Sequence, residues 1–140
     1  MPDITLLDAE GNIHETAGIN WGTNLQNHTT PIDAYIPINI AEVRQNPGLF
    51  DLKGPQQVIV TLHWDDGEIM TAQFEGNSVG EYPKQLASTP HKNTMGAYLR
   101  RRFGIANNEI FTMEHLDNYG RRTVTIERID ATNYSMDISI

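Results

Sequence analysis

Residues 57–74 read QVIVTLHWDDGEIMTAQF. Two strand-forming runs, 57–64 and 69–74, flank the triplet Asp65-Asp66-Gly67. An Asp-Gly pair readily adopts the positive-φ turn of a tight antiparallel connection, so this stretch predicts a β-hairpin and a mainly β fold. Shorter signals surround it. Residues 4–7 form a strand closed by a turn at 8–12 around Gly11, and residues 13–20 a second extended piece interrupted by Gly18. The run DAYIPI, 33–38, reads as a strand. Its Pro37 cannot donate to a ladder, which places it at a sheet edge. Ile110 and Phe111 resume extended structure, RTVTIERI at 122–129 alternates cleanly, and 134–138 makes the last strand.

Two or three short helices interrupt these strands. Asn39 is placed to cap one over 40–45, stopped by Asn46-Pro47-Gly48. Thr112 caps another that ends at Tyr119-Gly120. The clearest is NTMGAYLRRRFGIANN, 93–108, where Met95, Tyr98, Leu99 and Phe103 share one face. Asn93 is placed to cap its start and Gly104 to end it in a left-handed turn. Arg100, Arg101 and Arg102 fall in its last turn, where cations complement the helix dipole. About seven short strands with these helices suggest a closed or partly open β-barrel, its ends covered by helix.

The 140 residues are read as one domain, 1–140, with a core of its own. There are 18 acids against 10 bases, a net charge of −8. The charge is uneven: from Tyr82 to Asn108 there is no acid, and Lys84, Lys92, Arg100, Arg101 and Arg102 all lie there. An acidic chain is a poor general prior for nucleic-acid binding, but a local basic patch supplies the phosphate term. With no cysteine there is no disulfide framework or thiolate metal site, which fits a reducing cytoplasmic setting. No apolar run approaches a membrane span, and the N-terminus lacks the regions of a signal peptide. Two polar connectors are long for a compact domain, 21–33 and 75–93, and connectors of that length favour a functional role.

Several motifs, taken in order, carry a resemblance. LLDAEGNIHETAGINWG, DAYIPI, STPHKNTMGAYLRRRFG, the run from Phe111 to Arg121 with TVTIERI, and YSMDIS resemble the C-terminal DNA-binding domain of NgoFVII-type restriction endonucleases. That pseudobarrel group includes the effector domains of EcoRII and BfiI and the plant B-three domain. The resemblance implies a seven-stranded DNA-binding pseudobarrel that grips duplex DNA with two loop arms in the major groove. The connector after Trp21 matches the first arm and the one after Phe74 the second. Relatives carry arginines after the Trp-Gly; here Thr23, Asn24, Gln26, Asn27 and His28 follow, and Asp33 stands where relatives tend to carry Asn or Gln. The phospholipase-D-like nuclease domain that precedes such domains is not part of this sequence, so the implied partners are double-stranded DNA and a nuclease domain or subunit.

The candidate contacts follow. Lys84, His91 and Lys92 on the second connector are assigned to phosphates or base edges. Arg100 and Arg101 are either phosphate ligands or a solvated helix end; Arg102 is also placed to pair with an acid within the fold. Amides read adenine bidentately and carboxylates accept from cytosine. On that chemistry Asn24, Gln26, Asn27, His28, Asp33, Gln73, Asn77, Gln85 and Asn93, with Thr23, are the other DNA-facing candidates, weighed against ordinary loop polarity. Trp21 and Tyr35 are better read as anchors at the base of the first arm. The five histidines show no paired ligand spacing, and Asp65-Asp66-Gly67-Glu68 is explained as a turn, so no metal or other cofactor is expected. No nucleophile–base or phosphate-loop motif stands out, so the chain is not expected to be an enzyme by itself. The reading that results is sequence-specific duplex recognition within a restriction-modification system. A protein-interaction barrel that has lost DNA binding, or a small-molecule barrel lidded by the connectors, is the competing reading.

Overall fold

The computed structural model describes residues 2–23, 31–51, 53, 56–76 and 82–140. Seven strands form one sheet that curls into a nearly closed barrel: β1 (Asp3–Thr5), β2 (Ile36–Pro37), β3 (Val58–Trp64), β4 (Ile69–Glu75), β5 (Gln85–Ser88), β6 (Thr123–Arg128) and β7 (Asn133–Asp137). The order across the sheet is β1-β6-β7-β3-β4-β5-β2. All neighbours are antiparallel except β3 and β7, which run parallel with Leu62 beside Tyr134. Helices α1 (Ile40–Gln45), α2 (Lys92–Phe103) and α3 (Met113–Tyr119), with a 3-10 segment at Gly18–Thr23, complete the described structure.

The hairpin forms where Asp-Gly predicts it. β3 and β4 pair from Val58↔Phe74 to His63↔Ile69, and Gly67 takes φ 91°. Val60, Leu62 and Trp64 of β3 and Met70, Ala72 and Phe74 of β4 turn inward. They meet Val124 and Ile126 of β6, Tyr134 and Met136 of β7, and the apolar face of α2, whose Met95, Tyr98, Leu99 and Phe103 are all buried. Fully burying such side chains is worth about 1.5–3 kcal/mol each, so packing more than propensity holds this helix. Phe103 stacks obliquely on Tyr119, 4.6 Å between centroids, and joins α2 to α3.

The helix ends are partly as expected. Gly104 closes α2 and Gly120 closes α3 in the left-handed region. Thr112 caps α3 in a reciprocal box with His115. Asn93 does not cap α2: the helix begins at Lys92, His91, two residues before Asn93, occupies the cap position, and the Ser88 hydroxyl accepts from the Met95 N–H at 2.8 Å. Asn39 holds the cap position of α1 without a side-chain bond.

Four expectations about strands change. Residues 13–20 and 110–111 are not strands. The buried amide of Asn20 instead bonds the main chain of Phe111 in both directions, at 2.7 and 2.9 Å, and also the His14 carbonyl. One side chain thus replaces a ladder. The edge strand at 33–38 shrinks to Ile36–Pro37, because the Tyr35 N–H goes to Gly18 and the Ala34 N–H to Lys92 rather than to a neighbouring strand. The connector 75–93 contains a strand, β5, that pairs with both β4 and β2.

Candidate nucleic-acid interface

The two long connectors are rooted at opposite ends of β5. At one end Glu75 stands opposite Gln85, and the Lys84 N–H returns to the Glu75 carbonyl at 2.9 Å. Beyond the other end the first connector returns: Ala34 donates to the Lys92 carbonyl at 3.3 Å, and Gly22 and Asp33 close its neck at 2.7 Å. Trp21 and Tyr35 pack edge to face across this neck, centroids 5.8 Å apart, in agreement with an anchoring role. The returning limb also presses on α2. A Cβ at Gly96 would lie 1.4 Å from the Ile32 carbonyl oxygen, so only glycine permits this approach.

Between the two roots, on the outer face of β4 and β5, a polar cluster is built around Glu75. Its carboxylate accepts from Gln73 Nε2 at 2.5 Å, Gln85 Nε2 at 2.8 Å and Lys92 Nζ at 3.1 Å. Gln57 extends the chain by donating to Gln73 Oε1 at 2.9 Å. The strand period of two sets this arrangement: Gln73 and Glu75 share the outward face while Ala72 and Phe74 fill the core. Partial burial works to raise the Glu75 pKa, but the donors from Gln85, Gln73 and Lys92 outweigh it and hold the carboxyl below its ordinary value.

The expected DNA-facing residues therefore separate. Gln73, Gln85 and Lys92 come together in this cluster. Lys84 and His91 are exposed at its borders. Asn93 is half-buried in the first turn of α2. The Thr23 hydroxyl is bonded to the carbonyls of Glu15 and Asn20, so it serves the neck of the first connector. Asn24, Gln26, Asn27, His28 and Asn77 lie outside the described residues.

The arginine triplet splits three ways. Arg100 is 1% exposed. It donates to the carbonyls of Ile32 (3.3 Å), Gly96 (3.3 Å) and Glu109 (3.0 Å), and its guanidinium lies 4.9 Å from the Phe111 ring centroid. Burial lowers its pKa. Arg100 is thus not a solvent-facing cation: it ties the first connector and the segment after α2 to the helix. Arg102 makes a two-pronged bond to Asp65 at 3.0 and 2.7 Å and a third to the Tyr98 hydroxyl, fastening α2 to the hairpin turn. These bonds raise the Arg102 pKa and lower that of Asp65, while burial raises that of Tyr98. Arg101 remains well exposed, 3.7 Å from Asp66 and 3.6 Å from Glu68.

The sequence reading passed over Glu75 and Gln57. Their signal was polar residues two apart on β4 and opposite polar residues on its neighbours, which becomes visible only once β5 is known to be a strand. Among the described residues no group of three His, Asp or Glu side chains is placed to hold a metal ion.

The sequence pattern of the NgoFVII C-terminal B3-like DNA-binding domain matches residues 2–130. The chain belongs to that family. It is accordingly a B3-like DNA-binding domain, and the nearly closed seven-stranded barrel agrees with the pseudobarrel that the sequence resemblance implied. No curated protein matches the chain. Among the described residues, no helix is long and apolar enough to cross a membrane.

Proposed function

We propose that this B3-like domain recognises a specific duplex DNA sequence as the target-reading part of a restriction-modification system in the cytoplasm, without catalysis of its own. The observation that carries the reading is the placement of two long polar connectors at the two ends of β5, with the Gln73–Glu75–Gln85–Lys92 cluster on the surface between them. In this reading the connectors enter the major groove from either side of that surface. Lys84, His91 and Arg101 hold phosphates, which set register but carry no sequence, while Lys92 is paired with Glu75. The amides of the connectors and of the cluster read base edges, where the major groove distinguishes all four base pairs. Cleavage falls to a separate nuclease domain or subunit.

A competing reading, a protein-interaction barrel, draws on one observation. Lys92, Arg101, Arg102, Arg121, Arg122 and Arg128 all face acids of the same chain, which leaves few cations uncommitted. Filter binding with a pool of duplexes carrying a randomised core decides between the two. Retention that falls steeply with salt, and enrichment of one sequence over rounds of selection, are expected. Failure to retain any duplex at low salt would overturn the DNA reading.

A further inference from the structure

The Glu75 cluster has a chemical asymmetry. A carboxylate can only accept hydrogen bonds, so both amides that touch it must turn their NH2 groups inward. The carbonyl oxygens of Gln73 and Gln85 are then fixed on the side away from Glu75, and Gln73 Oε1 is met there by the Gln57 amide. A glutamine amide left to itself presents either end with little preference. Here one acceptor turns two ambiguous amides into oriented ones. The same carboxylate pairs with Lys92, whose side chain keeps 29% of its exposure, so a phosphate approaching that cation must compete with Glu75.

We infer that Glu75 is a positioning residue for sequence selectivity: it orients the Gln73 and Gln85 amides toward one base-edge pattern and withholds Lys92 from non-specific phosphate binding. This inference rests on the DNA reading above. Its two arms act on selectivity in the same direction. Oriented amides raise affinity for the matching sequence, because a wrongly turned amide sets donor against donor or acceptor against acceptor. The Glu75–Lys92 pair lowers affinity for every duplex alike, because that contact is phosphate-only. The residue therefore widens the ratio of cognate to random binding without touching a base itself.

The test is Glu75→Gln, which keeps size and shape but can donate as well as accept, so it no longer dictates how its neighbours turn. Wild type and variant are titrated against two probes, the duplex selected by the wild type from the randomised pool and a scrambled duplex of the same composition. Affinity for the selected duplex is expected to drop about tenfold, the scale of one mis-set bidentate contact. Affinity for the scrambled duplex is expected to rise, with its salt slope steeper by about 0.9 as Lys92 gains a phosphate. Opposite movements on the two probes are something a merely structural role does not produce. Parallel losses on both, with a lowered melting temperature, would assign Glu75 to stability alone and overturn the inference, as would an unchanged ratio. Adding Lys92→Met to Glu75→Gln gives a second reading: a double variant that loses the gain on the scrambled duplex but keeps the drop on the selected one supports the division of labour, and a gain on the scrambled duplex that survives without Lys92 contradicts it. A wild type that retains no duplex at all would instead remove the DNA reading and this inference with it.

Discussion

Replacing Arg100 by methionine separates a structural arginine from a phosphate ligand. The side chain is buried and donates to three carbonyls from three segments: Ile32 in the first connector, Gly96 within α2, and Glu109 beyond it. The Gly96 carbonyl keeps the α-helical donor four residues on. Those of Ile32 and Glu109, in part-buried bonds, lose this guanidinium, at about 1–3 kcal/mol for each group left unsatisfied. Part of that is recovered, because among the described residues no anion accompanies the buried guanidinium and its removal relieves a desolvation cost. A net loss of about 3 kcal/mol follows. For a chain of this size each kcal/mol moves the melting temperature by about 3–4 °C, so a drop of about 10 °C is expected. Thermal melts followed by circular dichroism measure it. Duplex binding, measured well below the new midpoint, should keep its salt slope. An unchanged melting temperature with a salt slope reduced by about 0.9 would make Arg100 a phosphate contact and refute the reasoning.

Other predictions test the remaining elements. Lys84→Ala should weaken selected and scrambled duplexes equally and flatten the salt slope by about 0.9, because Lys84 is exposed at the root of the second connector; a loss confined to one sequence would mean base reading instead. Gly96→Ala places a methyl group 1.4 Å from the Ile32 oxygen, so the limb or the helix must shift; overpacking of this kind costs about 1–3 kcal/mol by denaturant titration, and a gain in stability from better helix propensity would refute the close approach. The hydrogen bonds from Arg102 hold the Asp65 carboxyl below its ordinary value of 3.8. A folded pKa that is depressed means the stabilisation is complete above that ordinary value and is lost as pH falls through the folded one. Asp65→Asn should therefore destabilise the protein at neutral pH and flatten the acid limb of its stability profile; an unaltered acid limb would show that the Arg102 pair contributes nothing.

Much of the barrel was legible because its signals are local. Asp-Gly at 66–67 needs no distant partner to favour a turn, and it delivered the β3–β4 hairpin with nearly the expected ends. The i, i+3, i+4, i+8 spacing of Met95, Tyr98, Leu99 and Phe103 depends on helix geometry alone, and all four are buried. Thr112 and the two closing glycines act within one turn of chain, and α3 appeared between its predicted caps. Pro37 forbade an interior strand, and β2 is an edge. The count of strands agreed, but its membership did not. Gln85–Ser88 is too short and too close to prolines to announce itself, and is a strand only because β4 and β2 supply its hydrogen-bond partners.

The arginine triplet shows where sequence stops. Three identical neighbours on one helix turn point in directions about 100° apart, so they cannot share an environment. Which of them is buried, paired or exposed depends on what the barrel brings to each face. Packing brought carbonyls to Arg100, the hairpin turn to Arg102, and mostly water to Arg101. In the same way composition determined that positive charge gathers between 82 and 108, but only the sheet register decided that Glu75, just outside that stretch, would stand opposite Gln85 and take up Lys92. A charge run is a property of the chain; a charge partner is a matter of distance, and distance is set by the pairing of strands far apart in sequence.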